Sequence, residues 1–293
     1  MSFRNEARVA AAKVSDTALV EALERPRYEI YPSAGIAAEV EKHVPTSFKV
    51  TVTSSERKGL DTTLTLTEEL SERGFEVVPH LAARLVLDRE HLERILRRLE
   101  EAGVRDVFAI AGDSSRPIGD FPDGLSLLTA MRELGHDFAE IGFVGYPERH
   151  PFIGDDVLAK ALRDKAPFAS YVITQVCFEP RAIDDWVTAL RRDGVTLPVF
   201  VGIPGVVEQD RLLRIATRIG VHEPARFLGT SGVYTPDTLV DGLETLEEPS
   251  AGIRGFHVYT FNELARTEAW RRVKLEQARS AAAETTAISA ERL

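Results

Sequence analysis

The chain has 293 residues, 44% of them hydrophobic and 28% charged, a balance that excludes a mostly disordered, collagenous or coiled-coil protein and suffices for a full core. Its formal net charge of −10, from 46 acidic against 36 basic residues, argues against nucleic acid and anionic membranes as partners and leaves small-molecule ligands held by local groups. The single cysteine, Cys177, excludes an internal disulfide and a thiolate zinc cage.

The N-terminal stretch MSFRNEARVAAAKVSD has no apolar core of the kind a signal peptide needs, and no apolar run approaches the roughly 18 residues that span a bilayer. The expectation is a cytoplasmic protein, and the net charge leaves assembly into a homo-oligomer open. Residues 4–23 read as an extra helix. From Arg27 onward, short apolar runs alternate with amphipathic segments. The runs read as buried strands: YEIYP (28–32), FKVTVTS (48–54), EVVPHLA (76–82), DVFAIAGD (106–113), EIGFVGYP (140–147), SYVITQVCF (170–178), LPVFVGIPGV (197–206) and GFHVYTF (255–261).

The clearest helix is 87–103, with Leu92, Ile95, Leu96 and Leu99 on one face and Gly103 as its stop. Further helices are expected at 59–74, 123–136, 155–165, 182–194 and 210–220, with an extra one at 236–246 in the long gap after strand seven. The Ala-rich end reads as a frayed helix or a flexible tail over 276–293. Strands buried on both faces and joined by crossover helices imply parallel β/α topology. Eight such units predict a (β/α)8 TIM barrel in one domain, 1–293, with its core at 24–275; a doubly wound open sheet is the alternative.

In such a barrel the active site lies at the C-terminal ends of the strands. There the sequence places Glu29, Thr53, His80, Gly112 with Asp113, Tyr146 with His150, Gln175, and His257 with Tyr259. A polar group inside a buried strand costs about 1–3 kcal/mol unless it is paired, so a ring of them at one end is a site hypothesis. Glu29 reads equally as a structural acid with a partner or as a proton donor whose pKa burial has raised. Asp113 alone reads as a turn or helix-cap acid, His80 as a core histidine, and Lys165 as a cation at a helix C-terminus. Cys177 reads as a small core residue. Gln175 in a buried strand calls for specific partners, and the rigid loop Tyr146–Pro151 leans towards function. There is no G-x-G-x-x-G, P-loop, H-E-x-x-H or G-x-S-x-G motif, and the seven histidines are scattered, so no metal site is expected.

Taken together, the strand-end motifs resemble the methylenetetrahydrofolate reductase family. YEIYP is similar to its F-E-F-F-P, PHLA to its P-H-L-T, AIAGD to its L-R-G-D, GYPERHP to its A-Y-P-E-x-H-P, ITQVCFEP to its I-T-Q-F-F-F-D and GFHVYTFNE to its F-H-F-Y-T-L-N. The matches run in family order over about residues 27 to 270. The resemblance implies a barrel oxidoreductase of one-carbon metabolism and methionine biosynthesis. FAD would bind at the strand ends, NADH or NADPH would be the co-substrate, and hydride would pass from flavin to 5,10-methylenetetrahydrofolate. By the same resemblance Glu29 is the general acid and Asp113 the aspartate between flavin and pterin. Gln175, Phe178 and Tyr259 would contact substrate. Thr53, His80, Gly112, Asp113, Tyr146, His150 and Lys165 would contact flavin. The chain departs from the family pattern at Ala111, where the family often has arginine, and in the stretch VVEQD after strand seven, which has no aromatic. Two further readings follow: a flavin-free barrel that moves hydride directly from NAD(P)H, and a folate-binding protein without turnover.

Overall fold

The computed structural model describes residues 18–219, 232–244 and 252–290, the last six and residues 218–219 by backbone alone. Residues 18–24 form helix α1; the remainder of the expected N-terminal helix lies outside the described residues. Then follow β1 (Arg27–Ile30), α2 (Ile36–His43), β2 (Lys49–Val52), α3 (Gly59–Glu72), β3 (Glu76–Ala82), α4 (Arg89–Glu101), β4 (Asp106–Ile110) and α5 (Gly124–Leu134). The chain continues through β5 (Glu140–Gly145), α6 (Asp155–Lys165), β6 (Tyr171–Thr174), α7 (Pro180–Arg192), β7 (Val199–Pro204), β8 (Val207–Glu208) and α8 (Gln209–Ile219). It ends with β9 (Val233–Tyr234), α9 (Asp237–Glu244), β10 (Ile253–Tyr259) and α10 (Leu264–Ala290).

Eight parallel strands close into a barrel in the order β1-β10-β7-β6-β5-β4-β3-β2, which excludes the open sheet. The eight expected strands are the eight barrel strands. The expected helix at 236–246 appears as α9, and the backbone of the C-terminal stretch is helical through Ala290. A small antiparallel pair, β8 with β9, is an addition that two-residue strands gave no pattern to reveal.

Local chemistry fixes the helices. Asp88 caps α4 by accepting from the His91 N–H at 2.7 Å. Leu92, Ile95, Leu96 and Leu99 are buried, and Gly103 takes φ +72 just past the end. Any one of those leucines is worth about 2–5 kcal/mol against alanine. Asp123 and Ser126 form a reciprocal cap on α5.

The strands alternate sides. Tyr28 and Ile30 pack outward against the helices, while Arg27 and Glu29 point into the barrel. The interior is layered. At the N-terminal end Arg27 donates to Asp106 at 2.9 Å and to Glu140 at 3.0 Å. Lys49 donates to the same two acids at 2.7 and 2.8 Å, and the Tyr171 hydroxyl donates to Asp106 at 2.7 Å. The Arg27 guanidinium also lies 4.0 Å over the Tyr171 ring. Above this ionic floor Val78, Phe108, Tyr171 and Ile173 fill the bore, with Val144 and Phe200 against them. At the C-terminal end the described residues include buried polar groups without such mutual neutralisation, and the candidate site lies there.

Candidate active site

Glu29 is the centre of that end. Its Oε2 lies 3.1 Å from His257 Nε2 and 3.5 Å from His80 Nε2, and its side chain keeps 15% exposure. β1 and β10 are neighbours, so the acid and His257 meet across the closing seam of the barrel although 228 residues separate them. Burial pushes the Glu29 carboxyl up to about 7, against a smaller downward pull from His80. Burial also lowers His80 to about 4 and His257 to about 3. At neutral pH both imidazoles are therefore neutral, and the carboxyl holds its proton about half the time. Among the described residues His80 Nε2, His257 Nδ1 and Thr51 Oγ1 are buried with no hydrogen-bond partner. The backbone is pinned as well: Thr260 Oγ1 donates to the Glu29 carbonyl at 2.6 Å, and the Thr53 N–H to that of Ile30 at 2.9 Å.

Tyr259 lies next to Glu29 on β10, its ring nearly perpendicular to that of His257 with centroids 4.9 Å apart and its hydroxyl donating to the Thr174 carbonyl at 3.0 Å. Gly202 makes this possible, since a Cβ there would stand 2.7 Å from the Tyr259 ring. The backbone N–H of Gln175 donates to Gly145 at 2.8 Å, and its side-chain oxygen accepts from the Val176 N–H at 3.0 Å. Phe178 is 1% exposed and packs with Val207, Leu212 and Tyr234, which draws it into the floor of its loop.

On the opposite side Gly112 takes φ +91 and passes close to Ala82, a path with little room for a Cβ. Asp113 is exposed beside Tyr146, whose hydroxyl is pushed up to about 12 by burial and by that carboxylate. Tyr146 meets His150 edge-to-face at 5.1 Å, and His150 Nδ1 accepts from the Phe152 N–H at 3.2 Å. Thr53 is half-buried at the end of β2, where its carbonyl accepts from Thr63. Lys165 does not join this group. Its ammonium stands 4.5 Å over the ring of Phe143, which packs with Leu162 of α6 in the layer between sheet and helices. The final turn of α6 directs the side chain behind the barrel wall, and burial lowers its pKa to about 8.

The sequence places His257 at the strand ends and Glu148 in the Tyr146–Pro151 loop but assigns neither a partner, and it does not single out Arg84. His257 is the partner of Glu29. Glu148 reaches across two loops to the backbone of Phe178 and Glu179. Arg84 ties down the loop after β4 by donating to the carbonyls of Ser114 and Pro122.

The residues at the mouth fit a flat heterocycle better than a flavin dinucleotide. His80, Gly112 and Tyr146 line the strand ends, but position 111 is alanine, Lys165 is behind the wall and Arg84 is engaged with carbonyls. No cation among the positions expected to contact flavin stands ready for a pyrophosphate. Among the described residues no cluster of three or more His, Cys, Asp or Glu could hold a metal ion, and no helix is long and apolar enough to cross a membrane. A groove of about 570 Å³ between α9 and α10, lined by Asp237, Asp241, Trp270 and Lys274 among others, is separate from the strand ends.

The family model for methylenetetrahydrofolate reductase matches residues 36–271. Methylenetetrahydrofolate reductase 1 of Schizosaccharomyces pombe is 28% identical over 193 residues, 60% of this chain and 32% of that protein. The 5,10-methylenetetrahydrofolate reductase of Pectobacterium carotovorum is 28% identical over 219 residues, 69% of this chain and 71% of that protein. A probable methylenetetrahydrofolate reductase (NADPH) of Caenorhabditis elegans is 27% identical over 58% of this chain and 25% of its own length. The chain thus spans about a third or less of the yeast and nematode relatives. Among solved structures, an oxaloacetate acetylhydrolase covers 90% of this chain and 87% of its own at 13% identity with a TM-score of 0.50, a likeness of fold alone.

Proposed function

The chain belongs to the methylenetetrahydrofolate reductase family, and from that premise we propose that it reduces 5,10-methylenetetrahydrofolate to 5-methyltetrahydrofolate with hydride from a reduced nicotinamide dinucleotide. The observation that carries this reading is Glu29, a carboxyl raised to about 7 between two neutral imidazoles at the open end of the barrel.

The chemistry asks for such a group. One C–N bond of the five-membered ring of the substrate breaks, and the departing nitrogen takes a proton. The methylene carbon is left as an iminium cation, to which a hydride adds to give the methyl group. One proton and one hydride enter; the nicotinamide leaves oxidised. Glu29 supplies the proton: a carboxyl near 7 is still protonated at working pH and acidic enough to give the proton up. Asp113, exposed across the mouth beside Tyr146, stabilises the cation electrostatically. Gln175, with its backbone fixed to Gly145, and Tyr259, with its hydroxyl fixed to Thr174, hold the heterocycle. Retention of Glu29, Asp113 and Gln175 together supports turnover over mere folate binding.

Of the two hydride routes expected from the sequence, direct transfer from the nicotinamide is the one supported by Ala111 and by the seclusion of Lys165. A flavin relay is the second reading, supported by His80, Gly112 and Tyr146 at the mouth. An absorbance spectrum of the purified protein from about 300 to 550 nm, before and after addition of FAD, separates them. A colourless protein that reduces methylenetetrahydrofolate with NADH or NADPH establishes the direct route. Flavin bands that survive gel filtration establish the relay. No turnover with either nucleotide, with or without FAD, overturns the reductase reading. The printed names of relatives include both an NADPH and an NADH enzyme, so the assay uses both nucleotides.

A further inference from the structure

We propose that His257 is a positioning residue: by donating its Nε2–H to Oε2 of Glu29, it confines the exchangeable proton of the acid to Oε1. The proposal rests on the reading of Glu29 as the proton donor.

Three observations carry it. First, both imidazoles address one oxygen of the carboxyl. His257 Nε2 lies 3.1 Å from Oε2, within hydrogen-bond range, while His80 Nε2 lies 3.5 Å from the same atom. Second, the other nitrogen of His257, Nδ1, is buried and has no partner among the described residues. A neutral imidazole carries one hydrogen, and a sealed-off lone pair is less costly than a sealed-off N–H. The hydrogen therefore belongs on Nε2, where it has an acceptor. Third, the ring cannot readily turn away: the His257 side chain is 1% exposed and packs at right angles to the Tyr259 ring, centroids 4.9 Å apart.

An N–H directed at Oε2 leaves that oxygen as acceptor, and the proton of the neutral acid must then reside on Oε1. The groups around the carboxyl are His80 from β3, His257 and Tyr259 from β10, Thr51 from β2, and Arg27 two residues earlier on its own strand. Arg27 is committed to Asp106 and Glu140, and among the described residues no lysine or arginine pairs with Glu29. Among the described residues, His257 is thus the one group at hydrogen-bond distance that distinguishes the two carboxyl oxygens.

The test uses the intact protein and needs no turnover. Nitrogen-15 shifts of His257 in the wild type report the tautomer. The Nε2–H form is expected, and the Nδ1–H form overturns the proposal. The carboxyl carbon-13 resonance of Glu29, identified by its loss in Glu29→Gln, is then titrated in His257→Gln and His257→Asn. The amide nitrogen of glutamine overlays Nε2; that of asparagine overlays Nδ1. Loss of a donor to the charged form raises a carboxyl, so His257→Asn moves the midpoint up by about one pH unit and His257→Gln returns it to the wild-type value. Equal midpoints in both variants overturn the proposal, since a packing role does not separate them. With methylenetetrahydrofolate, His257→Asn lowers kcat by about tenfold at unchanged KM, and His257→Gln restores it. If the wild type fails to turn over while the titrations separate, the function assigned to Glu29 falls and the positioning by His257 stands.

Discussion

The Glu148 carboxylate reaches from the β5–α6 loop to the start of α7, where one oxygen accepts from the backbone N–H of Phe178 at 2.6 Å and of Glu179 at 2.7 Å. This joins the loop that carries Tyr146 and His150 to the loop that carries Gln175. Glu148→Ala is expected to destabilise the fold by about 1–3 kcal/mol, because two loop N–H groups lose their acceptor. It also raises KM more than it lowers kcat. Glu148→Gln keeps a carbonyl in place and retains most of both properties. Urea denaturation and steady-state kinetics of the two variants check the pair.

Glu29→Gln removes the proton donor without changing its shape. A loss of about 10²–10⁴ in kcat is expected with the fold intact. In the wild type the acid form is the active one, so kcat/KM falls roughly tenfold per pH unit above the midpoint near 7. A pH–rate profile that stays level to pH 9 would remove Glu29 from the mechanism.

The same shifts set the pH dependence of stability. The Glu29 carboxyl is raised in the fold, so the native state holds a proton that the unfolded chain has released, and stability falls as pH rises from about 4.5 to about 7. His80 and His257 are lowered, so the unfolded chain binds protons that the native state refuses, and stability falls as pH drops from 6.5 through about 4. Above pH 7 Glu29→Gln is therefore more stable than the wild type, by up to about 3 kcal/mol. Near pH 4 the advantage vanishes. Denaturant titrations at pH 4.5, 6 and 8 would reveal a variant whose advantage does not grow with pH, an outcome that sinks this account.

Asp106 is the hub of the ionic floor, in contact with Arg27, Lys49 and Tyr171. Asp106→Ala leaves the Arg27 guanidinium, 5% exposed, without its nearest counter-charge and is expected to cost about 3–5 kcal/mol. The mouth is at the other end of the bore, so the KM of the remaining folded protein stays near the wild-type value. Thermal unfolding and kinetics below the transition measure both.

Lys165→Met tests the seclusion of that ammonium. With its charge held over Phe143, the substitution leaves the KM for the nicotinamide dinucleotide within about twofold and stability unchanged or slightly improved, since burial already disfavours the charge. A tenfold rise in KM would mean that the side chain swings into the mouth.

All eight strands were legible because burial on both faces leaves continuous apolar runs, and α4 because its cap, stripe and stop coincide. Glu29 was legible as an acid where an apolar residue belongs. What surrounds it was not. The pairs Arg27 with Asp106, Glu29 with His257 and Glu148 with Phe178 join residues 79, 228 and 30 positions apart, and no local pattern encodes such distances. Lys165 was placed correctly on its helix, but the direction of a long side chain from a last turn depends on what packs beside it. Phe178 was placed on the right loop, but β8 and β9, which give it a pocket to fill, are too short to announce themselves.

The seam between β1 and β10 has a consequence for biosynthesis. Glu29 is made early, whereas His257 and the Thr260 hydroxyl that pins the Glu29 carbonyl are made more than two hundred residues later. A nascent chain on the ribosome therefore carries an ordinary solvated glutamate, with a pKa in the usual carboxylate range. The acid acquires its raised pKa and its imidazole partner only when the last strand docks against the first, so a chain that stalls or is clipped before β10 lacks the Glu29–His257 pair.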